Sequence, residues 1–204
     1  MHGLRVCFSI ATMILAGSLA APVAAQSLAP SQPAARMLVN APPGFDDSCR
    51  RYLWFCTYRS TGVRPVDQAD LLDLARKINS RVNFSVSQLS DPENYGVADY
   101  WTLPANGYGD CEDFVLQKYK LLLDAGADSR DLSIAVVLDR KGDNHAVLVL
   151  RHGSGDLVLD SLSRRILPWN RTGYTFLAMQ SGGDKTRWEV VMNQPRDSNT
   201  LAQR

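Results

Sequence analysis

The spacing of apolar residues changes character near residue 130. Before that point two segments repeat at helical intervals. Leu71, Leu74, Ala75 and Ile78 follow Asp67, a good N-cap, and Val66 and Leu71 are placed to staple the start of the helix. A second helix is predicted to begin at or near Cys111, where Asp110 can cap it. Its buried stripe is Phe114, Val115, Leu122 and Ala125, and Gly126 stands where a left-handed residue would end it. Beyond it the apolar runs shorten and fill with Val, Ile, Leu and aromatics. Residues 133–139, 145–151, 157–161, 174–180 and 188–192 predict five strands separated by turn residues. Helices first and strands afterwards indicate an α+β fold, with N-terminal helices packed on an antiparallel sheet of about five strands.

The second and third of these strands have a predictable register. Their connection, His152-Gly153-Ser154-Gly155, suits a tight turn that pairs Arg151 with Asp156. Val147 then lies opposite Asp160. Side chains alternate between faces, so His145 shares a face with Val147 and becomes a diagonal neighbour of Asp160. A slip of one residue would separate the two, so the pairing depends on the turn.

Outside this core the chain reads differently. Arg5 followed by the uncharged apolar run Val6 to Leu19 and by Val23-Ala24-Ala25 has the form of a cleaved export signal, residues 1–25. Residues 26–42, rich in Ala, Ser, Pro and Gln, are expected to form a flexible leader. Residues 43–192 would be the folded domain and 193–204 a disordered tail. The net charge of +1 falls to zero once Arg5 is removed, and no basic block or aromatic–basic interleaving marks a nucleic-acid surface. In an oxidising compartment Cys49 and Cys56 can close a short disulfide loop, two buried thiols being the alternative. Cys7 is lost with the signal, so Cys111 is then the odd cysteine, and an unpaired thiol in an exported protein is a candidate for reactivity.

Cys111 sits in Tyr108-Gly109-Asp110-Cys111-Glu112-Asp113-Phe114, among three carboxylates. A cysteine at a helix N-terminus gains from free backbone N–H groups and the helix dipole. With His145 as base and Asp160 as orienter it would form a nucleophilic triad. Each residue also has a plain reading: a buried inert thiol, a strand-end histidine bonded to backbone, an aspartate at a turn. The neighbouring acids make a thiolate harder to form, unless they serve as cap and first-turn residues or hold a cation.

Four blocks of sequence resemble the bacterial transglutaminase-like cysteine proteinase family, including its LapG-type periplasmic members. They are Asp99-Tyr100-Trp101-Thr102-Leu103-Pro104, Gly109-Asp110-Cys111-Glu112-Asp113-Phe114, Asn144-His145-Ala146-Val147-Leu148 and Leu157-Val158-Leu159-Asp160-Ser161-Leu162. The resemblance implies a papain/transglutaminase-like fold and a cysteine peptidase with Cys111, His145 and Asp160 as nucleophile, base and orienter. It also implies calcium held by Asp110 and Glu112, with Asp113 beside them, a choice that suits hard oxygen ligands. For partners it implies a protein substrate, in LapG-type members a surface adhesin, and an inner-membrane regulatory receptor. Acyl transfer to an amine, and a catalytically idle calcium-responsive binding module, are the alternative functions.

Overall fold

The computed structural model describes residues 37–57 and 64–191. The expected signal at 1–25, the leader as far as residue 36 and the tail at 193–204 lie outside the described residues. In chain order the elements are β1 (Leu38–Val39), α1 (Phe45–Arg51), α2 (Gln68–Ser85), β2 (Ser87–Gln88), α3 (Asp91–Asn94), β3 (Tyr108–Gly109), α4 (Cys111–Asp124), β4 (Leu132–Leu138), β5 (Asn144–His152), β6 (Gly155–Leu159), β7 (Leu167–Pro168), β8 (Thr175–Gln180) and β9 (Trp188–Val190). Among the described residues, no helix is long and apolar enough to cross a membrane.

The main sheet has seven strands in the order β1-β9-β8-β4-β5-β6-β7, all pairs antiparallel. The five expected strands are β4, β5, β6, β8 and β9. The sheet is wider than expected because β1 and β7 add a short strand at each edge. Two residues are too few to show an alternation in sequence, and Pro168 is tolerated in β7 because edge strands spare an N–H. Leu38–Val39 thus pairs with the sheet from within the stretch expected as leader. A separate parallel pair, β2 with β3, precedes the second long helix.

Helix α4 starts at Cys111 and ends as its sequence predicts. Gly126 has φ +96°. Its N–H bonds Leu123 O at 2.9 Å and the Ala127 N–H bonds Leu122 O at 2.9 Å, the paired bonds of a Schellman ending. Phe114, Leu122 and their neighbours pack with Ile134, Leu148, Leu150 and Leu159 from one face of the sheet. The opposite face buries Val137, Val147, Val149 and Phe176. Cover on both faces explains why β5 reads as an unbroken apolar run rather than an alternating one. On the N-terminal side, Cys49 and Cys56 are joined by a disulfide. Phe45 of α1 stands edge-on to Phe55, Trp101 and Trp188, which ties the disulfide loop to the sheet and to the segment around Trp101.

Helix α4 also buries a lysine. Lys118 is wholly buried, its Nζ has no hydrogen-bond partner, and it lies 5.7 Å from the centre of the Phe114 ring. Burial drives its pKa from 10.5 down to about 7, against the opposing pull of the Asp160 charge. A lysine held low in the folded state binds fewer protons there than in the unfolded chain, so its penalty is greatest below the folded pKa and fades as pH rises towards the unfolded one. Lys118→Met is therefore expected to raise stability by about 1–4 kcal/mol at neutral pH. Denaturant titrations should show the gain shrinking as pH rises from about 7 to about 10.

Candidate active site

The N-terminus of α4 and the start of β5 meet at one cleft, and the residue after β6 is bonded to the second of them. The first places Cys111, the second His145 and the third Asp160. The hairpin between β5 and β6 has the register expected from its turn, with Arg151 opposite Asp156 and Leu148 opposite Leu159. His145 Nε2 lies 2.8 Å from Asp160 Oδ1, and both side chains are buried. Asp160 Oδ1 also accepts the Leu162 N–H at 2.9 Å, and its Oδ2 accepts the Tyr174 hydroxyl at 2.6 Å. Burial pushes the Asp160 pKa up, but these bonds outweigh it and hold the carboxyl below its ordinary value. An ionised Asp160 fixes the proton of His145 on Nε2 and leaves Nδ1 as the free base.

Cys111 and His145 line the same cleft, with a volume of about 500 Å³. Its floor is a cross-strand row, Ala146, Val136 and Ala178 of β5, β4 and β8. Pro42, Pro43 and Trp101 form part of the walls. The thiol does not hydrogen-bond the imidazole; it donates to Glu112 Oε2 at 3.0 Å. Burial, then the Glu112 charge and this hydrogen bond, hold the Cys111 pKa well above its ordinary value, while the Ala146 N–H pulls the other way.

The acids beside the cysteine form a larger cluster than the sequence suggested. Asp91, Asp99 and Glu112 bring oxygen atoms within 4.8 Å of one another, and so do Asp91, Asp110 and Asp113. Asp110, Glu112 and Asp113 are thus each in a group, and Asp91 belongs to both. The carboxylates are half-satisfied. Asp113 Oδ1 accepts the Thr102 N–H at 2.8 Å and Asp91 Oδ2 accepts the Tyr100 N–H, but Asp91 Oδ1 and Asp113 Oδ2 are buried without partners. Asp99 Oδ1 and Asp110 Oδ1 are orphaned in the same way. Asp110 occupies the N-cap position of α4 yet makes no capping bond with its side chain. Orphaned carboxylate oxygens from four aspartates, with Glu112 alongside, are a donor set that fits a hard divalent cation such as calcium.

Sequence reasoning did not single out Asp91, Asp99 or Tyr174. Asp99 opens one of the blocks that carried the family resemblance, so a signal existed. Asp91 opens the short α3 and carries no local sign of its partners, which are contributed by chain up to 22 residues away.

Without a cation the cluster is a liability. Burial, then the Asp91 charge, raises the Asp99 pKa to about 6. Burial, then the Asp110 charge, raises Glu112 to about 8. Burial also raises Asp113 to about 8, against the Thr102 N–H. Carboxyls whose folded pKa is raised bind protons that the unfolded chain has already released, so stability is lost as pH rises through that window. In chelator, the melting temperature is expected to fall as pH goes from about 5 to about 7, and calcium should restore it at the upper end. A melting temperature indifferent to both would show that the cluster binds no cation.

A model of bacterial transglutaminase-like cysteine proteinases matches residues 35–196. No curated protein sequence matches. Among solved structures, calcium-bound LapG of Legionella pneumophila is 25% identical, with a TM-score of 0.50 over 66% of this chain and 82% of that one. Two further structures of the same protein, one of them EGTA-treated, each align at 30% identity with a TM-score of 0.47. They cover 53% of this chain, which spans 64% and 62% of theirs, under two thirds of either. The helices packed on an antiparallel sheet are those of the transglutaminase-like fold. The family match runs through every block that builds the cleft, and the chain belongs to the bacterial transglutaminase-like cysteine proteinase family.

Proposed function

We propose that this protein is an exported, periplasmic cysteine peptidase in which Cys111 is the nucleophile, His145 the base and Asp160 the residue that orients it. The observation that carries the reading is the buried 2.8 Å bond between His145 and Asp160, with His145 lining the same cleft as the free thiol at a helix N-terminus. The substrate class is an envelope or surface protein, a surface adhesin by the resemblance, with an inner-membrane receptor as regulator.

In the acylation step His145 Nδ1 takes the thiol proton as Cys111 Sγ bonds to the carbonyl carbon of the scissile peptide. The developing oxyanion lies near backbone N–H groups at the start of α4. Collapse of the tetrahedral species breaks the C–N bond, and the imidazolium proton leaves with the amine. Water then gives a proton to His145 and bonds to the acyl carbon. The S–C bond breaks, and the proton returns to sulfur. Throughout, Asp160 holds the imidazole by Nε2 and stabilises its charged form.

Asp91, Asp99, Asp110, Glu112 and Asp113 would hold calcium. Bound there, calcium supplies positive charge that offsets the carboxylates beside the thiol. Glu112 is the residue through which the two sites meet, because it belongs to the acid cluster and accepts the thiol's hydrogen bond.

The expected result with a panel of envelope proteins is that wild type generates a new terminus and Cys111→Ala generates none. Equal processing by both would defeat the peptidase reading. Asp91→Asn, which removes one charge shared by both carboxylate groups, should weaken calcium binding by about 10-fold or more, measured by calorimetry.

A further inference from the structure

We propose that Tyr174 is a positioning residue for the reaction, locking the His145–Asp160 pair in place. The inference rests on the triad reading above and adds a fourth side chain to it. An aspartate bonded through one oxygen can still pivot about its last torsion, and the imidazole it holds would pivot with it. Asp160 has no such freedom. Oδ1 takes His145 Nε2 and the Leu162 N–H, and Oδ2 takes the Tyr174 hydroxyl at 2.6 Å. The Tyr174 ring also stands edge-on to the imidazole, with centroids 5.9 Å apart and planes at 85°. One side chain thus fixes the carboxylate by its hydroxyl and the imidazole by its ring.

Tyr174 is itself held just before β8. Its N–H donates to Thr172 Oγ1 at 3.1 Å, and that hydroxyl donates to Trp169 O at 2.8 Å. Arg140 Nε bonds Thr172 O at 2.8 Å, and the guanidinium lies 6.0 Å from the Tyr174 ring centre. Burial and the Asp160 carboxylate push the phenol pKa up, so the hydroxyl remains a donor across the neutral range. Without that bond Asp160 Oδ2 would lose its one donor among the described residues, and the preference for a single imidazole tautomer would weaken.

Tyr174→Phe keeps the ring and removes only the hydroxyl, which makes it the test. The protein, with calcium present, is compared with wild type by two readouts. One is acylation of Cys111 by p-nitrophenyl acetate as a function of pH. The other is the ¹⁵N spectrum of His145, assigned by its loss in His145→Ala. Wild type is expected to show one neutral tautomer, protonated on Nε2. Tyr174→Phe is expected to show tautomer averaging, a displaced acid limb of the pH profile and acylation slower by about 10-fold, the scale of a lost hydrogen bond to a charged group. A Tyr174→Phe protein with an unchanged His145 spectrum and pH limb overturns the inference, even if its melting temperature or overall rate falls. Failure of the parent reading looks different: His145→Ala and Asp160→Ala would then acylate as fast as wild type.

Discussion

Everything around the cleft follows from one electrostatic conflict, a cluster of five carboxylates beside a half-buried thiol at the N-terminus of α4. The helix dipole favours negative charge at that end, but it cannot offset so many acids in a desolvated site. The protein deals with part of the charge by giving Asp91 and Asp113 a backbone N–H each. It leaves their second oxygens buried without partners. The approach is so close that a Cβ on Gly109 would sit 2.6 Å from Asp113. Glycine at this end of β3 is a packing requirement of the acid cluster.

The remaining architecture keeps the two halves of the site in place. The sheet holds the imidazole, through a strand buried on both faces and paired along its whole length. Helix α2 secures the loop that carries Asp160. Asn83 Nδ2 donates to Asp160 O at 2.8 Å and Ser163 O at 3.0 Å, and Asn79 Nδ2 to Ser163 O at 3.0 Å. The N-terminal disulfide region supports the other wall. Arg51 Nη2 bonds Trp101 O at 2.8 Å and the Tyr52 hydroxyl meets Thr102 Oγ1 at 3.0 Å. Thr102 is also the residue whose N–H holds Asp113, so the disulfide loop is mechanically connected to the acids.

What the sequence revealed was whatever local patterning controls. The two long helices, the five longer strands and the hairpin register could be read because helical period, strand composition and turn chemistry act within a few residues. Arg151 facing Asp156 was enough to place His145 beside Asp160. The short edge strands were invisible, since two-residue pairings are imposed by the neighbouring strand and carry no period of their own. The same logic separates Asp110, Glu112 and Asp113, adjacent in sequence, from Asp91, whose membership in the cluster arises only when α3 folds back towards α4. Tyr174 read as the first aromatic of a strand. Its role depends on a contact with Asp160 that no spacing encodes. The cap expected of Asp110 failed for a related reason, because its carboxylate lies with those of Asp91 and Asp113 instead of capping the helix.

Glu112 joins the acid cluster to the nucleophile, since it belongs to the first and accepts the hydrogen bond of the second; in the proposed function, a calcium ion held there would offset its charge and free the thiol. The most direct measurement is the rate of Cys111 alkylation by iodoacetamide at fixed neutral pH, with calcium and with chelator, followed by intact mass. Labelling is expected to be slow in chelator, where Glu112 holds the thiol, and faster by about 10-fold or more with calcium. Equal rates in the two conditions, with calcium shown to be bound, would contradict it.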